Sequence, residues 1–169
     1  LSSDGRVVAI GARGNDGVSG HVRLYAWDGS NWVQRGANID GEAHEDRSGD
    51  SVSLSSDGRV VAIGARGNAG GSHNAGHVRL YAWDGSSWLQ RGADIDGQAI
   101  ETDNGNMTEL SGWSVSLSGD GSLVAIGAPG NIDNGEDAGQ VRLYARDGSN
   151  WVQRGADING EHDDKSAYI

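Results

Sequence analysis

The chain has 169 residues, with 13 lysines and arginines against 24 aspartates and glutamates for a net charge of -11, 29 glycines, one proline, and neither cysteine nor phenylalanine. The acid excess repels nucleic acid and anionic membranes, the lack of cysteine removes disulfides and thiol chemistry, and the glycine content calls for tight turns and strands rather than long helices. The longest apolar runs, such as Val60 to Ala65, are about six residues against the roughly 20 a membrane helix needs, and no anchor or signal-peptide pattern is present.

The segment from Leu1 to Ala12 returns as Leu54 to Ala65 and, with small changes, as Leu117 to Ala128. His21 to Ala26 recurs as His77 to Ala82 and as Gln140 to Ala145, each time followed by Asp-Gly-Ser and then a tryptophan. The chain therefore divides into three repeats, about 1–53, 54–116 and 117–169, inside one domain. The middle repeat is longer in two connections, Ala65 to Val78 and Gly97 to Leu117, so the strands hold their length while loops vary.

Each repeat predicts four strands. Ser51 to Ser55 alternates with period two, placing Val52 and Leu54 on a core, and Asp57-Gly58 predicts a type I′ hairpin. Val60 to Ala65, apolar throughout, predicts a strand covered on both sides. Val78, Leu80 and Ala82 then alternate with Arg79, Tyr81 and Trp83, and Asp84-Gly85-Ser86 turns the chain into Trp88 to Arg91. No helix is expected. Four short antiparallel strands every 50 to 60 residues with Gly-rich turns predict an all-β fold of β-propeller blades, three in this chain.

The motifs Ser48-Gly49-Asp50-Ser51-Val52 and Ser111-Gly112-Trp113-Ser114-Val115, then Val124-Ala125-Ile126-Gly127-Ala128-Pro129, then Gly139 to Tyr144, stand in the order of the FG-GAP repeat. The chain resembles that family, which forms the propeller of integrin α subunits and their relatives. The resemblance implies that the connections Arg66 to Gly76, Pro129 to Gly139 and Gln98 to Gly112 open on a ligand-binding face. Two departures limit it: serine replaces the family's phenylalanine, and its calcium loop is reduced here to Ser-Ser-Asp-Gly, one carboxylate where calcium wants six to eight oxygens. Three blades do not close a ring. The chain opens at Leu1, inside a blade's first strand and without a methionine, so we expect a longer tandem array, with a six-bladed ring of two copies as the alternative.

Repetition points to scaffold, because a catalytic constellation needs different residues meeting once. Trp32, Trp88 and Trp151 recur and read as packing between blades. Arg23, Arg79 and Arg142 recur on the third strand and Arg35, Arg91 and Arg154 on the fourth; ladders of salt bridges within blades are expected for both sets. Trp113 stands where Asp50 stands in the previous repeat, and a tryptophan beside a long loop can stack on a sugar ring. Asp133, Glu136 and Asp137 cluster in one inserted loop and His73 lies in its counterpart; with Trp113 they are the candidate ligand-binding residues. Asp94, Asp96, Asp40 and Asp157 belong to a repeated Asx-Ile-Asx-Gly run, which reads as a turn toward the next blade or as the start of a calcium loop, so Ca²⁺ is the one cofactor kept open. Asn106-Met107-Thr108 is a glycosylation sequon in the longest insertion.

No Gly-x-Ser-x-Gly elbow or histidine pair at metal-ligand spacing is present, and no unrepeated pair of facing carboxylates can be placed in the channel. The expectation is a non-enzymatic module, extracellular or on the cell surface, that binds a protein or glycan and adjoins further blades or another copy of itself. Neither nucleic acid nor membrane insertion is expected. A structural protein of a filament or surface assembly, and a carbohydrate-active propeller enzyme, are the alternatives.

Overall fold

The computed structural model describes residues 1–14, 19–68, 75–98, 109–132 and 138–161. Among these residues there are only strands and turns, and no helix long and apolar enough to cross a membrane. The first sheet holds β1 (Val7–Ala12), β2 (His21–Trp27), β3 (Trp32–Gln34) and β4 (Ile39–Asp40). The second holds β5 (Ser51–Leu54), β6 (Val60–Ala65), β7 (His77–Trp83), β8 (Trp88–Gln90) and β9 (Ile95–Asp96). The third repeats it with β10 (Ser114–Leu117), β11 (Leu123–Ala128), β12 (Gln140–Asp147), β13 (Asn150–Gln153) and β14 (Ile158–Asn159). Within each sheet the strand pairings are antiparallel and follow chain order, except that β4, β9 and β14 pair back on β2, β7 and β12, giving the meander of a propeller blade. The first sheet has no counterpart of β5 or β10, so β1 is an edge.

The fourth strand of each sheet comes in two pieces. In the second sheet, β8 pairs Tyr81 to Trp83 of β7, and β9 pairs His77 and Val78 of the same strand. Four residues, Arg91 to Asp94, thus oppose the two residues Arg79 and Leu80, a bulge that Gly92 permits by holding φ at 89°. The run Asp94-Ile95-Asp96 is consequently the strand's continuation rather than the turn expected of it. Its isoleucine is 5% exposed, and the flanking aspartates point away from the core, as period-two alternation requires.

The Asp-Gly hairpins also differ from the type I′ turn expected. Gly58 alone has positive φ, at 64°, while Asp57 does not, and Gly58 N donates to Ser55 O across a single turn. The buried Ser55 hydroxyl is the hub of this hairpin: it accepts from Val60 N at 2.9 Å and donates to the Asp57 carboxylate at 2.7 Å. Ser2 with Asp4, and Ser118 with Asp120, repeat the arrangement. The Ser118 and Ser122 hydroxyls and the Ser122 N–H pull the Asp120 carboxyl down to about 2. The single carboxylate of each hairpin is thereby engaged by its own serine and backbone.

Two apolar clusters hold the sheets together. One joins Val7, Val22, Leu24 and Ile39 of the first sheet to Val61, Ile63 and Tyr81 of the second. The other joins Ala62, Val78, Leu80 and Ile95 of the second to Val115, Val124 and Ile126 of the third. Each sheet therefore offers a leading face to its predecessor and a trailing face to its successor. Because β6 is sandwiched, all six of its residues are buried.

Polar ties follow the same rule. Trp88 Nε1 donates to Arg35 O at 2.7 Å and Trp151 Nε1 to Arg91 O at 2.6 Å, while Arg35 and Arg91 donate to the carbonyls of Gly58 and Gly121. Arg35 and Arg91 of the fourth strands thus bind backbone of the next blade, not aspartates of their own. Third-strand arginines also look outward: Arg79 meets Glu42 and Arg142 meets Glu109, both from the connections entering their sheets. A buried guanidinium takes the carboxylate or carbonyl that the sheet joint brings to it, and the repeated aspartates are held in hairpins instead.

Candidate functional site

The connections identified as variable leave from one end of the sheets, and their stems are laced together. Gly76 N donates to Asn68 O, Gly97 N to Gly76 O and Ser111 N to Ala75 O, with a parallel bridge between Gly76 and Ser111. Gly20 and Ser48 repeat that bridge one joint earlier. At this end the chain leaves β6 through Arg66 and enters β5 and β10 through Asp50 and Trp113.

There two guanidiniums meet one carboxylate, with a third nearby. Asp50 accepts from Arg13 Nη1 at 3.0 Å and pairs with Arg66 Nε, and Arg13, Arg47 and Arg66 line a cavity of about 270 Å³. Burial lowers the Arg66 pKa; Asp50 opposes that shift, while Arg47 and Arg13 add to it, so these charges share one field. The Arg66 guanidinium lies 4.0 Å over the Trp113 ring, the face-on contact expected of cation and π-system. The Arg13 side chain is 61% exposed and that of Asp50 10%, so a largely buried carboxylate holds an exposed cation. Within a chain of net charge -11, three arginines gather here around Asp50, with Glu45 and Asp46 next to Arg47 in the sequence.

Of the sequence candidates, Trp113 takes part in this patch. Arg13, Arg47, Asp50 and Arg66 were not singled out. The available signal was Arg13 and Arg66 standing where the third repeat has Pro129. Arg47 holds φ at 55°, but Leu110 at the same repeat position holds 58°, so this backbone belongs to the connection and not to a ligand. Asp133, Glu136, Asp137, His73 and Asn106 lie outside the described residues.

The four candidate calcium aspartates are spread over three sheets. Asp40 and Asp96 are exposed, and Asp157 accepts from Gln140 and Gln153. Among the described residues, Glu42, His77 and Asp94 bring possible ligand atoms within 4.8 Å of one another. A cation already sits there: Arg79 Nη1 is 3.4 Å from Glu42, and its Nη2 donates to Asp40 O at 2.8 Å. Asp94 also accepts from Gln90 at 2.6 Å. His77 is 1% exposed, and burial, followed by the Arg79 charge, lowers its pKa and keeps the ring neutral. The third sheet puts Gln140 in that place, with amide bonds to Asp157 and Asn159, so a neutral polar group meets the need.

The fold and its end-loop geometry define a protein built of β-propeller blades. Residues 97–149, from just past β9 to the turn before β13, match the FG-GAP repeat. A candidate 6-phosphogluconolactonase of Bacteroides uniformis has a similar structure, with TM-score 0.52 and 13% identity, covering 91% of this chain and 38% of that one. A periplasmic gluconolactonase of Pseudomonas aeruginosa has TM-score 0.48 and 16% identity, covering 89% of this chain and 38% of that one. The chain thus spans little more than a third of either, and the likeness is one of fold. No curated protein matches the sequence.

Proposed function

We propose that this chain is a non-enzymatic propeller module, acting outside the cell or on its surface, that binds an acidic glycan at its loop-bearing end. The observation that carries it is the patch of Arg13, Arg47 and Arg66 around Asp50, backed by Trp113, beside the stems of the variable connections. A sugar carboxylate exchanges water for charge-assisted bonds from Arg13 and Arg47, while Trp113 stacks on the Arg66 guanidinium beside them. Repetition elsewhere supports a rigid frame, because one polar constellation breaks the three-fold pattern while the sheets keep it.

The test is binding of the purified chain to paired uronate-bearing and neutral oligosaccharides. Binding should favour the acidic member, weaken as salt rises, and fall at least about tenfold in an Arg13→Ala/Arg47→Ala variant. Equal binding of both members, or no loss in the variant, would refute the assignment. Turnover of a sugar lactone by the same preparation would overturn the non-enzymatic part.

A further inference from the structure

We infer that the hollow between the second and third sheets, at the end carrying the Asp-Gly hairpins, is a binding site for a small aromatic anion, whose ring lies over Arg91 and whose carboxylate pairs with Arg146. The hollow is about 500 Å³, within the roughly 300–1,000 Å³ of small-molecule sites, and its lining includes Arg59, Trp83, Leu89, Arg91, Asp120 and Arg146. It lies at the opposite end of the strands from the Asp50 patch: Val60 pairs with Ala82 here, whereas Ala65 pairs with His77 at the loop-bearing end.

The joint between the first and second sheets shows what the hollow lacks. There the indoles of Trp83 and Trp88 cover Arg35 at 4.8 Å and 5.6 Å, and a Cβ on Gly36 would meet the Trp83 ring. One repeat on, Arg35 becomes Arg91, Gly36 becomes Gly92, Trp88 becomes Trp151 and Trp83 becomes Arg146. Trp151 keeps its place, since its Nε1 donates to Arg91 O and a Cβ on Gly92 would meet its ring. Arg146 does not fill the place of Trp83. It is exposed, a Cβ on Gly92 would meet Ser149 O instead, and among the described residues no ring covers Arg91. The joint therefore keeps the outline of a flat ring, with the half-buried Trp83 and Leu89, 54% exposed, as apolar walls.

The charges select the substituent on that ring. Three guanidiniums and one carboxylate line the hollow, and among the described residues none of the three arginines is in an ion pair. Arg91 Nη1 donates to Gly121 O at 3.0 Å, which holds the guanidinium in place without neutralising it. Burial, and then the Arg146 charge, lower the Arg91 pKa while Asp120 opposes them, so the two arginines meet as like charges. Asp120 is engaged by its own hairpin, accepting from Ser118 Oγ at 2.6 Å and from Ser122 N at 3.0 Å. Of the acids next in sequence, Asp84 accepts from Ser86 N and Ser87 N in its own turn, and Asp147 is exposed outside the lining. A carboxylate on the ring offsets the repulsion between Arg91 and Arg146 and takes a charge-assisted bond from Arg146, while the ring gains the cation–π contact that Arg35 already makes.

The test is isothermal titration calorimetry of the purified chain with indole-3-acetate, and with indole and acetate as its separate halves. Indole-3-acetate should bind with a dissociation constant of about 1 mM or tighter, at least about tenfold more tightly than either half, and more weakly as salt rises. Arg146→Gln alters an exposed residue and should weaken indole-3-acetate at least about tenfold. Arg146→Trp installs the residue of the first two repeats, so it should keep the strand circular dichroism of the parent and abolish binding by filling the hollow. No binding of indole-3-acetate at about 10 mM, acetate bound as tightly, or an unaltered affinity in Arg146→Gln would overturn the site. Indole-3-acetate retained by Arg146→Trp would overturn the placement of the ring over Arg91.

Discussion

Replacing Glu109 by alanine should destabilise the protein by about 3–5 kcal/mol, while replacing Glu42 should cost less than about 1 kcal/mol. The two acids serve equivalent arginines, Arg142 and Arg79, on the third strands of adjacent sheets, so each substitution controls for the other. Glu109 is fully buried, and the Arg142 side chain is 4% exposed. Their contact is 2.8 Å, and Glu109 also accepts from Gln98 N. Truncating Glu109 strands a desolvated guanidinium beside Ser111 Oγ at 3.3 Å and takes the acceptor from a backbone N–H. Glu42 is 48% exposed and 3.4 Å from Arg79, which keeps Asp40 O at 2.8 Å without it. Urea unfolding followed by circular dichroism measures both differences, provided the denaturant slopes of parent and variants agree. A Glu109→Ala cost below about 1 kcal/mol, or equal costs for the two variants, would refute the buried-pair reasoning. Glu109→Leu combined with Arg142→Met should be less costly than Glu109→Ala alone, since no charge is left unpaired.

Gly64→Ala should cost at least about 1–3 kcal/mol by the same assay, because a Cβ there runs into the Gly112 carbonyl at the sheet joint; Gly14→Ala, with nothing within 4 Å, should stay within about 0.5 kcal/mol of the parent. The His77 pKa is lowered on folding, so the unfolded chain takes up its proton first: stability is full above the ordinary value of 6.5 and is lost as pH falls toward the lower folded value. His77→Gln, which copies Gln140, should flatten the melting temperature against pH below 6.5, and an unchanged slope would assign the loss to other groups. A chelator should leave the melting temperature unmoved, since Arg79 supplies the cation at Glu42, and a fall would reinstate a structural calcium.

The sheets were legible because period-two alternation and Asp-Gly turns are local signals, and three repeats register each against the others. Val60 to Ala65, apolar on both faces, announced its burial between neighbours, and β6 is buried along its length. The split fourth strand was not legible: Asp94-Ile95-Asp96-Gly97 carries turn residues, and only pairing with His77 and Val78 makes it a strand. The arginine partners were missed for a similar reason. Repeated arginines and aspartates suggest pairing inside each repeat, whereas the packed joint puts Arg35 against the carbonyl of Gly58 and Arg142 against Glu109. Of the patch at the loop end, Trp113 was legible as a break in the repeat; Asp50, Arg13 and Arg66 looked like ordinary repeat members until the joint brought them together.

Comparison of the two joints argues for one anion-binding patch rather than one per blade. Between the first and second sheets, the joint carries Arg13, Arg47, Asp50 and Arg66. Advancing one repeat replaces these with Arg66, Leu110, Trp113 and Pro129, so a single guanidinium remains where there were three. Arg66 belongs to both sets, bound to Asp50 on one side and stacked on Trp113 on the other. It cannot be exchanged for Pro129's residue type without losing both contacts, whereas Arg13 and Arg47 are exposed and make fewer demands on the frame. The repeat supplies the same joint twice, and differences at three of these four positions, with the frame unchanged, distinguish the joint on which the proposed anion site rests from its neighbour.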